Sequence, residues 1–316
     1  MTAYILRRLL LLVPVLLIVG VVVFSLVHLT PGDPTAAMLG REATIEQKEA
    51  LREQLGLNEP IPVQFVEWVA GVVRLDFGES LFMGIPVTEA LLERAEPTGL
   101  LTLYSLTFAI LLAIPSGVIA AMRPNSLIDR LLMVTSISGA AIPSFFFGIL
   151  LMLFFAVRLG WLPSGGYADV AEGFWEHFRY MIMPSIALGF SGAGLLARIV
   201  RSTMLDVLNQ EYIRTAYAKG LREQRVVTGH ALRNAMIPAM TVIGILLANM
   251  LGGAVVIETV FNIPGMGRLL VQSVVRRDFP VVQAAVLVVA VIEVLVMLMI
   301  DILYVFIDPR IRYGDE

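Results

Sequence analysis

The sequence predicts an all-α integral membrane protein of about six transmembrane helices, with both termini in the cytoplasm. Three observations predict this: an apolar composition, recurring runs long enough to cross a bilayer, and basic residues gathered into alternate links. Of 316 residues, 58% are hydrophobic and only 16% are charged. Ordinary soluble domains carry about 25% charged residues. A mean hydropathy of +0.82 is more apolar surface than a soluble core can absorb, so the bilayer is the solvent for much of it.

A helix needs about 20 apolar residues to cross the hydrocarbon layer. The run 9–29 follows Arg7 and Arg8. It exceeds the roughly 7–15 residues of a signal-peptide core and no small-x-small cleavage site follows, so it reads as a retained first span. Residues 30–97 are polar and acidic, with Pro31, Pro34, Pro60 and Pro62, a helix-like segment at 44–55 and an expected interfacial segment around Trp68. They read as an ordered extracytoplasmic region. A core at 98–307 supplies five further spans. The run 98–122 is uncharged, and 131–157 carries Pro143-Ser144 near its start. The shorter 181–197 holds Pro184-Ser185, 235–257 holds Pro238 and several glycines, and 279–307 spans despite Glu293 and Asp301. Prolines are tolerated in spans because neighbouring helices and hydroxyls re-satisfy the freed backbone groups. Residues 308–316 form a tail, and no internal repeat is visible.

Basic residues set orientation. Arg7 and Arg8, then Arg123 and Arg130, then Arg198, Arg201, Arg214, Lys219, Arg222, Arg225 and Arg233, then Arg310 and Arg312 all fall on one side if both termini are cytoplasmic. The link 258–278, with Arg268, Arg276 and Arg277, is the exception.

The inventory also excludes. There are no cysteines, and His28, His177 and His230 are far apart, so neither a thiolate site nor an HExxH-like metal site is written. Lys48 precedes Glu49 and Lys219 precedes Gly220, so no P-loop lysine is present and ATP would have to be bound by another chain. A net charge of −3 does not suggest a nucleic-acid binder. No catalytic residue and no metal ligand is assigned.

The link 202–234 is the most informative segment. Leu205, Leu208, Tyr212 and Ile213 recur at helical spacing with charges opposite. Gly220 then ends or bends the helix in the left-handed conformation used at helix C-termini. A second short helix fits 221–232. Two short helices joined at a glycine make a rigid cytoplasmic lever. By pattern alone, a basic loop facing lipid headgroups fits equally well.

The string Glu211-Tyr212-Ile213-Arg214-Thr215-Ala216-Tyr217-Ala218-Lys219-Gly220-Leu221, with His230-Ala231-Leu232-Arg233-Asn234-Ala235-Met236-Ile237-Pro238, resembles the cytoplasmic signature loop of ABC importer permeases in its dipeptide/oligopeptide/nickel form. Only Ala216, Gly220 and Leu232 match the loop's general form, E-A-A-x-x-x-G followed by I-x-L-P. The resemblance extends over nearly the whole chain. It includes Tyr4-Ile5-Leu6-Arg7-Arg8-Leu9, Pro31-Gly32-Asp33-Pro34, Leu55-Gly56-Leu57, Asp76-Phe77-Gly78 and Leu159-Gly160-Trp161-Leu162-Pro163. It also includes the string from Val260 to Leu270 and Asp308-Pro309-Arg310-Ile311-Arg312-Tyr313. The first span followed by a long external region suits the first of the two permeases that such systems usually encode.

The resemblance implies a type I ABC importer transmembrane fold in the inner membrane of a prokaryote. It implies a second homologous permease, two ATPase subunits that hold ATP and Mg, and an extracytoplasmic solute-binding protein. The cargo would be peptides first, with glutathione, nickel chelates and oligosaccharides in the same branch. The ATPase contact would fall on Glu211, Arg214, Thr215, Ala216, Lys219, Gly220, Leu221, Arg222 and Arg225, with Gly220 fixing the angle. Asn262, Pro264, Gly265 and Gly267 would form an external turn that re-enters the pore mouth, against the alternative of a plain connecting turn. Glu258, Glu293 and Asp301 are the candidates for the translocation path. Intramembrane acids are functional suspects, and 293 and 301 lie near one helical face; bonds to neighbouring helices are the favoured alternative for both. The rival reading is an ion-coupled secondary transporter using Glu293 and Asp301, and the missing inverted repeat counts against it. An embedded enzyme lacks a nucleophile, and a channel lacks a filter motif.

Overall fold

A computed structural model describes residues 2–29, 35, 39, 43–54 and 56–307. The motif at 31–34, Leu55 and the tail 308–316 lie outside the described residues, as do the side chains of Arg7, Arg8 and Asp301. In chain order the helices are α1 (Thr2–Leu29), α2 (Ile45–Gln54), α3 (Ile61–Val73), α4 (Val87–Met122), α5 (Leu127–Ala141) and α6 (Ser144–Leu151). They continue as α7 (Phe174–Leu208), α8 (Glu211–Ala218), α9 (Glu223–Val226), α10 (Leu232–Val260), α11 (Met266–Arg276) and α12 (Phe279–Ile307). Among the described residues five helices are long and apolar enough to span, and six if the bent pair 127–141 and 144–158 is one span.

Two compact units share the chain. Unit 1 takes residues 1–97 and 264–295. Val87, Ala90, Leu91, Met266, Leu269, Val281, Ala284 and Ala285 form its core. Ser80 Oγ donates to Asp278 Oδ2 at 2.5 Å, and the Leu81 amide donates to Oδ1 at 3.3 Å, so one carboxylate holds the turn before α4. Arg276 stacks 3.5 Å above the Phe82 ring. Inside its span Gln283 is buried and donates to the Val23 carbonyl at 3.3 Å, which joins α12 to α1. Phe24 meets Phe65 edge to face and Trp68 at a tilt, joining α1 to α3.

Unit 2 takes residues 98–263 and 296–316, and α7 is its axis. Ser185, Gly189, Ala193 and Ala197 recur every four residues, and all are buried. Lipid tails are as apolar as leucine, so helices in a bilayer associate by close packing of small residues. Gly194 shows how close: a Cβ there would land on the Ser136 carbonyl of α5. Beside that crossing, Arg201 donates to Asp129 through Nε at 2.6 Å and Nη2 at 2.7 Å, a two-pronged bridge from α7 to α5. Asp129 is placed by the start of its own helix. Ser126 Oγ accepts from the Asp129 amide at 3.1 Å, and Asp129 Oδ2 accepts from the Asn125 amide at 2.8 Å.

Four boundaries differ from expectation, each for a physical reason. The second span begins at Val87, not 98, and runs through Pro97. Residues before proline avoid the helical region, but here burial of Val87, Ala90 and Leu91 keeps the polar first turns helical. The third span is not one helix: α5 and α6 meet at a 106° bend. Pro143 has no amide, and Ile142 before it is extended at φ −83°, ψ 125°. The fourth span extends over 174–208, because its polar ends are held by packing that hydropathy does not register. In the link 202–234, the first helix is interrupted between Leu208 and Glu211, and the second is not a free-standing unit.

Replacing Arg201 with Gln strands the Asp129 carboxylate. Breaking a buried pair costs about 3–5 kcal/mol. The guanidinium keeps 25% of its surface, so a loss near about 3 kcal/mol is expected. Denaturation of the detergent-solubilised protein measures it, and unchanged stability would show that the bridge is idle. Gly194→Val should disrupt the same crossing and lower the yield of folded protein, read by size-exclusion profile.

Candidate functional site

The lever stands on four buried side chains. Ile213, Ala216, Val226 and Val227 enter the unit 2 core together with Val200 and Met204 of α7. Ile213 is fully buried, which stabilises the docking of α8 by about 1.5–3 kcal/mol. The opposite face, with Glu211, Arg214, Thr215, Tyr217, Ala218 and Lys219, is exposed. Arg214 pairs with Glu211 at 2.9 Å on that surface; an exposed pair of this kind contributes under about 1 kcal/mol.

The end of α8 is fixed. Gly220 sits at φ +75°, where non-glycine residues pay a steric penalty. Its amide donates to the Tyr217 carbonyl at 2.9 Å, and the Leu221 amide reaches the Ala216 carbonyl at 3.4 Å. This pair of bonds is the Schellman motif, with half-buried Leu221 as its apolar contact. Nothing lies within 4 Å of a Cβ built on Gly220. The requirement for glycine is therefore conformational, not one of space.

After the turn the chain does not form a second separate helix. α9 runs through a wide π-helical turn, Val227–Ala231, directly into α10. Across the angle, Asn234 of α10 donates to the Tyr212 hydroxyl of α8 at 2.8 Å. Gly220, Leu221, Arg222, Gln224, Arg225 and Thr228 line a concavity of about 510 Å³ at the elbow. Arg222 and Arg225 are exposed, and His230 is an exposed member of the wide turn. The nine residues expected to meet the ATPase thus share one elbow. Ala216 is buried beneath it as an anchor, and Leu221 is half-buried.

The other expected residues are dispersed. Glu258 is fully buried and accepts from Thr98 Oγ1 at 2.5 Å. Phe261 and Ile263 are also buried, and the Phe261 carbonyl accepts from the Gly166 amide at 2.8 Å. Asn262 is exposed in the left-handed region at φ 57°, Pro264 is half-buried, and Gly265 and Gly267 are buried. The chain continues past the turn as the amphipathic helix α11, where a turning loop was expected. Glu293 is half-buried and makes no hydrogen bond or ion pair with a described residue.

Residues 113–313 match the family described as the binding-protein-dependent transport system inner membrane component, and residues 1–85 match the N-terminal family of the same systems. The chain belongs to the binding-protein-dependent ABC importer permease family. It is 43% identical, over 99% of its length and 100% of the relative's, to a probable peptide ABC transporter permease of Sinorhizobium fredii. It is 46% identical over the same shares to the glutathione transport system permease of Salmonella typhimurium, and 44% identical to that of Escherichia coli K12. In three dimensions it is similar to a chain of the inward-facing MetNI methionine ABC transporter. The TM-score is 0.57, with 18% identity, over 69% of this chain and 96% of that one. The fold is the type I importer fold, and the protein is a multi-pass permease subunit. The ion-coupled reading is set aside by this membership.

Sequence reading missed three features. The Asp129–Arg201 bridge was signalled only by a Ser126-x-x-Asp129 cap, with Arg201 counted merely as a cytoplasmic charge. The Tyr212–Asn234 bond joins residues 22 apart, which no local pattern reveals. The groove beside the α5–α6 break follows from the bend itself. Asn234→Ala should loosen α8: losing one hydrogen bond of about 1 kcal/mol speeds amide exchange across 211–218 about fivefold, as hydrogen-exchange mass spectrometry would show. Unchanged exchange would mean that apolar anchoring alone holds the lever.

Proposed function

We propose that this subunit forms half of the membrane path for small peptides or glutathione-like solutes. It works beside a second permease, with two ATPase subunits and an extracytoplasmic solute-binding protein, in the inner membrane of a prokaryote. Its relatives carry the names of a peptide and a glutathione permease. The elbow 211–225 enters the ATPase cleft. ATP and Mg belong to those partner chains, and this chain supplies no catalytic residue.

The observation that carries the reading is the construction of the elbow. It is anchored inward by Ile213, fixed in angle by Gly220, exposed and polar outward, and continuous with α10. A partner shifts a conformational equilibrium only by binding one state better than the other. A rigid elbow converts that difference into displacement of a spanning helix; a floppy loop would absorb it.

Two measurements test the proposal. Purification of the tagged chain from native membranes should recover a second permease and ATPase chains. In Gly220→Val the left-handed conformation is penalised by about 1–2 kcal/mol or more. ATPase recovery and peptide uptake should each fall by about five- to thirty-fold, while membrane insertion stays normal. Normal uptake and normal solute-stimulated ATP hydrolysis in Gly220→Val would overturn the assignment of the elbow.

A further inference from the structure

The break between α5 and α6 opens a groove of about 590 Å³ between that bend and the helices α7 and α10. Its floor is small: Gly192 and Gly253 line it, beside Ala140 and Ala141. Its polar groups are Ser144, Ser191, Arg198 and Asn249, and no acidic residue lines it. None of these four side chains makes a hydrogen bond or ion pair with a described residue. Arg198 and Asn249 are exposed.

Depth makes this unusual. Ser191 is the middle residue of α7 (174–208), and Asn249 lies three residues past the middle of α10 (232–260). The bend falls midway along the pair 127–158. An uncompensated side-chain amide costs several kcal/mol in hydrocarbon. The bend adds to this, because helix ends leave amides and carbonyls without intrahelical partners. Non-helical backbone at such depth is tolerated only where protein buries it or water reaches it, and Ala141 and Pro143 are exposed. This face is therefore not turned to lipid.

We propose that the groove is this subunit's wall of the solute path, and that the Arg198 guanidinium receives a carboxylate of the passing solute. The inference rests on the peptide reading above for its choice of solute. The chemistry is independent of it: a planar guanidinium offers paired donors that match a carboxylate, and no acid in the groove competes for it. Weak, unpaired contacts suit passage, since a solute must leave as readily as it enters.

The chain has no cysteine, so Asn249→Cys places a single thiol in it. In the assembled importer reconstituted in vesicles, a charged, membrane-impermeant methanethiosulfonate should label this thiol during turnover at least tenfold faster than Leu111→Cys. Leu111 is an apolar side chain of α4, 69% exposed. Labelling is read by mass spectrometry of this chain. Labelling of Asn249→Cys no faster than that of Leu111→Cys would mean the groove is sealed against the second permease, and would overturn the proposal. In parallel, Arg198→Gln should cut uptake of trialanine at saturating binding protein about tenfold, and Arg198→Lys should restore most of it. Normal labelling of the Asn249→Cys/Arg198→Gln double variant would show that the groove is still formed in the assembly. Full trialanine uptake by Arg198→Gln would overturn the carboxylate assignment. No trialanine uptake by the unsubstituted importer would overturn the peptide reading instead, and labelling at 249 would then decide the path by itself.

Discussion

The close backbone approach along α7 is the constraint on which unit 2 depends. In hydrocarbon there is no hydrophobic drive to bring helices together, so contact area must come from proximity. Gly189 brings α7 against α4, where a methyl group would meet the Ser105 carbonyl, and Gly194 brings it against α5, leaving no room for a methyl group at the Ser136 carbonyl. Once α5 lies that close, Arg201 and Asp129 can meet with two short bonds. The ion pair is thus a consequence of the steric fit and also its lock.

The same economy of side chains explains where polar residues are permitted. Gln283 is spent on backbone carbonyls of α1, and Glu258 accepts from Thr98. These groups are satisfied internally and hold helices together. Arg198 and Asn249 are different because they are exposed and no described residue of unit 2 hydrogen-bonds to their side chains.

Much of this was legible in the sequence. Hydropathy alone locates six apolar segments because a bilayer demands about 20 residues per span. The helical end at Gly220 was legible because few residues other than glycine adopt a φ of +75° easily. Boundaries were less so. Val87 to Pro97 looks like loop by its charge and its proline, yet it is helix because Val87, Ala90 and Leu91 are buried in a core built with residues 266–285, far along the chain. The break at Ile142-Pro143 was visible as a proline but not as a bend, since many spans carry proline without breaking; α7 itself accommodates Pro184. Non-local geometry, not composition, decides such cases.

The wide turn at Val227–Ala231 has a consequence for divergence among related importers. A helix advances about 100° per residue, and a π-helical turn is a place where one extra residue is housed without breaking the rod. Because the wide turn spends its extra residue locally, gaining or losing that residue leaves the elbow and the apolar stripe of α10 in phase. The chain can thus change length at this point without re-aiming the lever at its motor.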